Sequence, residues 1–109
     1  MCRIFASQPP EMYACETRSV RLGGHVTSVR LEAAFWAILE EIAESQGMSV
    51  PKFLSKLHDE VLDAGAQGHN FASLLRCACL TYVTKIKGRP AAERSLKEEA
   101  MRDLAQASA

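Results

Sequence analysis

The sequence predicts a mainly α fold with a short N-terminal β-ribbon, followed by three helices and a C-terminal helix, in one chain of 109 residues. Three observations carry that expectation. Ser-Val-Arg-Leu occurs twice, at residues 19–22 and 28–31, around Gly23-Gly24. From Glu32 the hydrophobic period changes from two to about 3.6. Gly47 before Ser49, and Gly65 before Asn70, then punctuate the helical part as stop and start signals.

Each copy of the repeat alternates polar and apolar residues, the period of a half-buried strand. Gly23-Gly24 is a hairpin signal because glycine accepts positive φ. As a two-residue loop it sets Leu22 opposite His25, Val20 opposite Thr27 and Ser19 opposite Ser28. Val20, Leu22, Thr27, Val29 and Leu31 then share one face, and Ser19, Arg21, Val26, Ser28 and Arg30 the other. Phe35, Ile38, Leu39, Ile42 and Ala43 form the stripe of a first helix that ends at Gly47. Ser49 caps a second helix with Pro51 in its first turn and a stripe of Val50, Phe53, Leu54, Leu57 and Val61. A loop with Gly65, Gly68 and His69 leads to Asn70 and a third helix, from Phe71 to about Ile86. Its apolar residues exceed one stripe, so it is expected to be the most buried. Gly88 and Pro90 stop it. The tail to about Ala107, with a thin stripe at Leu96, Ala100 and Leu104, is expected to be helical and loosely docked. The organisation is a domain over residues 1–88 and a helical tail over 89–109.

Thirteen basic and thirteen acidic residues cancel, which excludes a uniformly basic protein held by phosphates. The charge is nevertheless blocked: +2 over residues 1–31, −4 over 32–48, −1 over 49–70, +4 over 71–89 and −1 over 90–109. Any nucleic-acid surface must be local. No apolar run reaches the roughly 20 residues of a membrane span, and residues 1–10 lack the pattern of a secretory signal, so a cytoplasmic protein is expected. Cys2, Cys15, Cys77 and Cys79 lack metal-clamp spacing and read as small buried thiols.

Strand, helix, Gly47 turn and Ser49-capped second helix follow the order of a ribbon-helix-helix module. Residues 26–57, with Val-Thr-Ser-Val-Arg-Leu, Phe-Trp-Ala-Ile-Leu-Glu-Glu-Ile-Ala and Gln-Gly-Met-Ser-Val, resemble that superfamily, which includes the Arc and Met repressors. More closely, Met-Cys-Arg-Ile-Phe at the start, residues 18–22 and 27–31, Phe35-Trp36, and Asn70-Phe71-Ala72-Ser73-Leu74-Leu75-Arg76 look like a bacterial family of short ribbon-helix-helix-domain proteins. The likeness runs from residue 1 to about 83. It implies an intertwined homodimer in which one strand from each chain forms an antiparallel ribbon that enters the major groove of double-stranded DNA. A lone strand leaves backbone groups unpaired and two helices cannot close a core, so two chains would complete each other. Carried over by position, Val26, Ser28 and Arg30 match the base-reading strand residues. Ser49, Val50 and Lys52 match a helix start that grips phosphate. A transcriptional regulator, not an enzyme, without cofactor or metal, is the implied function.

Three features depart from that pattern. Pairing of residues 18–22 with 27–31 widens the ribbon, Val26 offers no hydrogen bond, and Glu40, Glu41 and Glu44 repel DNA if they face it. The alternative is a protein-interaction module, antitoxin-like or an adaptor, that keeps the dimeric fold without specific DNA binding and meets a partner through residues 90–109. Other features have plain structural readings: Trp36 as core, His58 with Asp59 and Glu60 as a solvated helix face, and His25 and His69 as turn residues. The cluster Arg76, Lys85, Lys87 and Arg89 complements a helix carboxyl end without needing a ligand.

Overall fold

The computed structural model describes residues 3–65 and 70–107. Two single-turn helices, α1 (Arg3–Ala6) and α2 (Pro10–Tyr13), lead into strands β1 (Cys15–Leu22) and β2 (His25–Glu32). Helices α3 (Ala33–Ser45), α4 (Val50–Asp63) and α5 (Phe71–Thr81) follow, then a π-helical turn (Tyr82–Ile86) and α6 (Pro90–Ala107). Cys2, Gly68 and His69 lie outside the described residues.

The strands pair antiparallel in a two-stranded sheet. Gly23 and Gly24 close it with φ of 58° and 83°, both in the left-handed region that a type I′ loop demands. Leu22 faces His25, Val20 faces Thr27 and Ser19 faces Ser28, the register the repeat predicts. Pairing extends back to Cys15 opposite Glu32. Val20, Leu22, Val29 and Leu31 are buried. Thr27 shares the Val20 face yet is exposed, because α4 packs beneath β1 and leaves the tip of β2 uncovered.

Local signals fix the helix ends. Met48 N–H donates to the Ala43 carbonyl at 3.0 Å and Gly47 N–H to the Glu44 carbonyl at 3.0 Å, a Schellman turn. Ser49 Oγ accepts from Lys52 N–H at 3.4 Å, and Asn70 Oδ1 from Ser73 N–H at 3.2 Å. The third helix is α only to Thr81 and then widens into the π-helical turn, where Lys87 N–H reaches the Tyr82 carbonyl at 2.8 Å.

Leu31, Leu39, Leu54, Leu75 and Cys79 are fully buried, and Trp36 nearly so. They come from β2, α3, α4 and α5 of one chain. Within the chain α5 adds to this core, and β1 pairs with β2 as the Gly23-Gly24 loop predicts. The ribbon of this structure is intramolecular. The expectation that the third helix is the most buried is corrected. Trp36, Leu39, Ile42 and Ala43 of the shorter α3 are buried, against Leu75, Cys79 and Tyr82 over residues 71–86. Helix α3 lies between the hairpin, α4 and α5, whereas Leu80 and Val83 on the third helix face solvent at 58% and 47% exposure.

Helix α6 buries Ala100 and half-buries Leu96 and is tied to α4 by Lys56 Nζ and Asp103 Oδ2 at 3.1 Å; the Leu104 side chain of the expected stripe lies outside what is described. Of the cysteines read as buried thiols, only Cys79 is buried among those described, and burial pushes its thiol up to about 11. Cys15 and Cys77 are exposed: Cys77 lies two residues from Cys79, on another helix face, and Cys15 points outward from β1.

Candidate nucleic-acid interface

Alternate residues of the hairpin turn away from the helices. On this outer face Thr17 stands opposite Arg30, Ser19 opposite Ser28, and Arg21 opposite Val26. All six are exposed. Arg21 Nη1 reaches only the Gly24 carbonyl, at 3.4 Å, and Arg30 makes no ion pair among the described residues. At the base of the face, Glu32 Oε1 accepts from Arg76 Nε at 3.1 Å and Nη2 at 2.9 Å. Its own backbone amide and the Arg76 guanidinium hold the Glu32 carboxyl below the usual range. The expected Val26, Ser28 and Arg30 are thus gathered on one surface, joined by Arg21 and by Thr17. Continuing the period-two alternation of β1 back from Ser19 finds Thr17 in the sequence.

Four cations off this face are ion-paired: Arg18, Lys56, Arg76 and Lys87. Arg18, on the inner face, pairs with Glu16 at 2.8 Å and Glu40 at 3.0 Å, and its guanidinium lies 4.5 Å from the centroid of the Trp36 ring. Trp36 Nε1 donates to the Glu16 carbonyl at 2.8 Å, locking α3 beneath β1. Lys87 pairs with Glu41 at 3.0 Å. Of the three glutamates that repel DNA if they face it, Glu41 is thus paired with Lys87, and Glu40 shares Arg18 with Glu16. Glu44 is exposed and lines a shallow hollow with Ser49 and Val50.

Ser49, Val50 and Lys52 sit together at the start of α4, with Ser49 and Lys52 exposed. Pro51 has no amide, Lys52 N–H is taken by Ser49 Oγ, and Phe53 N–H donates to the Ser49 carbonyl at 2.9 Å. The Val50 amide and the Lys52 ammonium are what remains to meet an anion. These residues do not extend the hairpin's outer face, because α4 packs on the inner side of β1.

His58 departs from its expected solvated position. It is half-buried, edge-on to Phe71 with ring centroids 5.5 Å apart, and its Nδ1 is buried without a hydrogen-bond partner among the described residues. The reason is α4 packing under the hairpin tip, where the His58 ring approaches Gly23. Among the described residues no three His, Cys, Asp or Glu side chains are grouped to hold a metal, and no helix is long and apolar enough to cross a membrane.

The ribbon-helix-helix domain family matches residues 15–83, from the first residue of β1 into the π-helical turn. The chain belongs to the ribbon-helix-helix domain family. Both strands of the hairpin and α5 lie within the matched stretch, so in this ribbon-helix-helix protein the intramolecular pairing is part of the domain and not an appendage. Its fold is similar to that of an uncharacterized protein from Bordetella pertussis Tohama I, with 42% identity, a TM-score of 0.78, and 92% of this chain and 85% of that chain covered. No curated protein gives a significant match.

Proposed function

We propose that the protein is a DNA-binding regulator that acts as a homodimer and reads base edges in the major groove with the outer face of its hairpin. The observation that carries this reading is the make-up of that face. Arg21 and Arg30 stand exposed on it, and its one carboxylate, Glu32, is occupied by Arg76. Arg30 can donate two hydrogen bonds to guanine, Ser28 can meet either edge, and Val26 can pack on a thymine methyl. Lys52, with the Val50 amide and Ser49, would hold phosphate.

The hairpin is two strands wide, the width that the groove admits. Pairing β2 with β2 of a second copy would set four strands side by side, about 14 Å between the outer two, against a groove about 12 Å wide. The reading element is therefore the hairpin of one chain, and dimer contacts are assigned elsewhere. Leu80 and Val83, exposed and apolar, supply such a surface. A protein-interaction reading draws on Ile4 and Phe5, 80% and 73% exposed, and on the exposed tail helix.

Gel-shift titration on genomic fragments at several salt concentrations tests the DNA reading. Arg30→Ala should lose about 1–3 kcal/mol of discrimination. Lys52→Ala should weaken binding to all sequences alike and reduce the salt slope by about 1. Binding no tighter than to random DNA at low salt would overturn it, and a pull-down that depends on residues 90–109 would then favour the adaptor. Light scattering at micromolar concentration reads the dimer directly.

A further inference from the structure

We infer that the half-open cavity between α4, the π-helical turn and α6 binds a small primary amine with an apolar body, such as an arylalkylamine. The cavity measures about 260 Å³. An apolar void of about 150 Å³ already holds benzene, so this one accommodates an aromatic ring with a short alkyl chain. Its wall is apolar, formed by Ile42, Met48, Phe53, Leu57, Tyr82 and Ile86. Tyr82, with Gln46 and Thr81, adds the few polar atoms of a largely apolar inner lining, so the inner wall recognises shape more than polarity.

The polar groups that select a ligand lie at the mouth. Glu60, Glu99 and Asp103 border it with a single cation, Lys56, and Lys56 is committed to Asp103. Glu60 and Glu99 have no ion-pair partner among the described residues. Partial desolvation of this largely exposed side chain at the mouth, then the neighbouring Asp103 and Glu99, push the Glu60 carboxyl above its ordinary value against the pull of Lys56. An ammonium at the mouth relieves that repulsion while its carbon body fills the void; a carboxylate there would add to it. Helix α6 covers one side with Leu96 and Ala100 and brings Glu99 and Asp103 to the mouth, which is open to solvent. This inference does not depend on the DNA reading.

Calorimetric titration of the full chain with 2-phenylethylamine, 2-phenylethanol and 3-phenylpropionate tests it, with amide chemical shifts reporting location. The amine should bind saturably, the alcohol more weakly, and the acid not at all. Shifts should concentrate at Ile42, Phe53 and Ile86. Glu60→Gln with Glu99→Gln, both exposed positions, should weaken the amine by about threefold per carboxylate, the scale of a partly solvated charge contact, and leave the alcohol unchanged. Ala78→Met, filling the cavity from α5, should abolish both. No saturable amine binding, equal binding of the acid, or amine binding insensitive to the double substitution would overturn the assignment.

Discussion

The two faces of the hairpin carry the same repeated tetrapeptide and have opposite fates. On the inner face, Val20, Leu22, Val29 and Leu31 are buried, and the one cation, Arg18, is held by Glu16, Glu40 and the Trp36 ring. On the outer face Arg21 and Arg30 remain exposed. An arginine in a strand thus becomes structural or available according to which way the pleat turns it, and a single residue of register separates the outcomes. The sharpest way to break the comparison is to substitute neighbours. Leu31→Ala, at a fully buried position, should cost about 2–5 kcal/mol in urea denaturation. Arg30→Ala, one residue away, should stay within about 0.5 kcal/mol while losing DNA discrimination. Equal stability losses at the two positions would erase the distinction between the faces.

The next test addresses what holds the inner face to α3. Trp36→Phe keeps an aromatic ring but removes the donor to the Glu16 carbonyl and weakens the stack under Arg18. Leaving that acceptor unpaired should cost about 1–3 kcal/mol, read as a lowered denaturation midpoint. If the midpoint is unchanged, the indole N–H does not fasten β1 to α3.

The hairpin register was legible because Gly23-Gly24 admits few loop geometries and the repeat fixes which residues alternate. The helix caps at Ser49 and Asn70 were legible for a similar reason, since both depend on neighbours within three residues. What was not legible depends on distance along the chain. Arg76 meets Glu32 and Lys87 meets Glu41 only after folding, and nothing in local spacing joins them. The burial order of the helices failed on the same ground. Counting apolar residues favours the third helix, but only the packing shows that α3 is covered by the hairpin, α4 and α5 while Leu80 and Val83 are left outside. The candidate site was half legible. Val26, Ser28 and Arg30 lie on one face as alternation required, whereas the pairing of Glu32 with Arg76 at its foot joins residues 44 apart in the chain.

A smaller effect is expected at the turn. Gly24 has φ of 83°, and Gly24→Ala places a Cβ in the left-handed region at a cost of about 1–2 kcal/mol. No atom lies within 4 Å of that Cβ, so the loss comes from backbone conformation alone. Thermal unfolding of Gly24→Ala beside Gly24→Asn separates the causes: asparagine tolerates the left-handed region and should recover part of the loss. Equal losses would assign the cost to the side chain rather than to φ.

The smallest expected effect concerns Glu32, which stands at the foot of the outer face and would make it acidic if unpaired. Its carboxyl is lowered first by its own backbone amide and then by Arg76. A folded-state value below the unfolded one means that the contribution is present above the unfolded carboxylate value and is lost as pH falls through the folded one. Arg76→Ala removes the second cause and leaves the first, so the Glu32 titration followed by carboxyl NMR should move up only part of the way. The acid-side fall in stability should still begin near the unfolded carboxylate value, but be smaller and be complete at a higher pH. Because the pair is partly solvated, stability at neutral pH should change little. DNA affinity should fall for every sequence alike, since the freed carboxylate repels phosphate without reading bases. An unmoved Glu32 titration would mean that the guanidinium does not neutralise this edge, and the cationic character of the outer face would then rest on Arg21 and Arg30 alone.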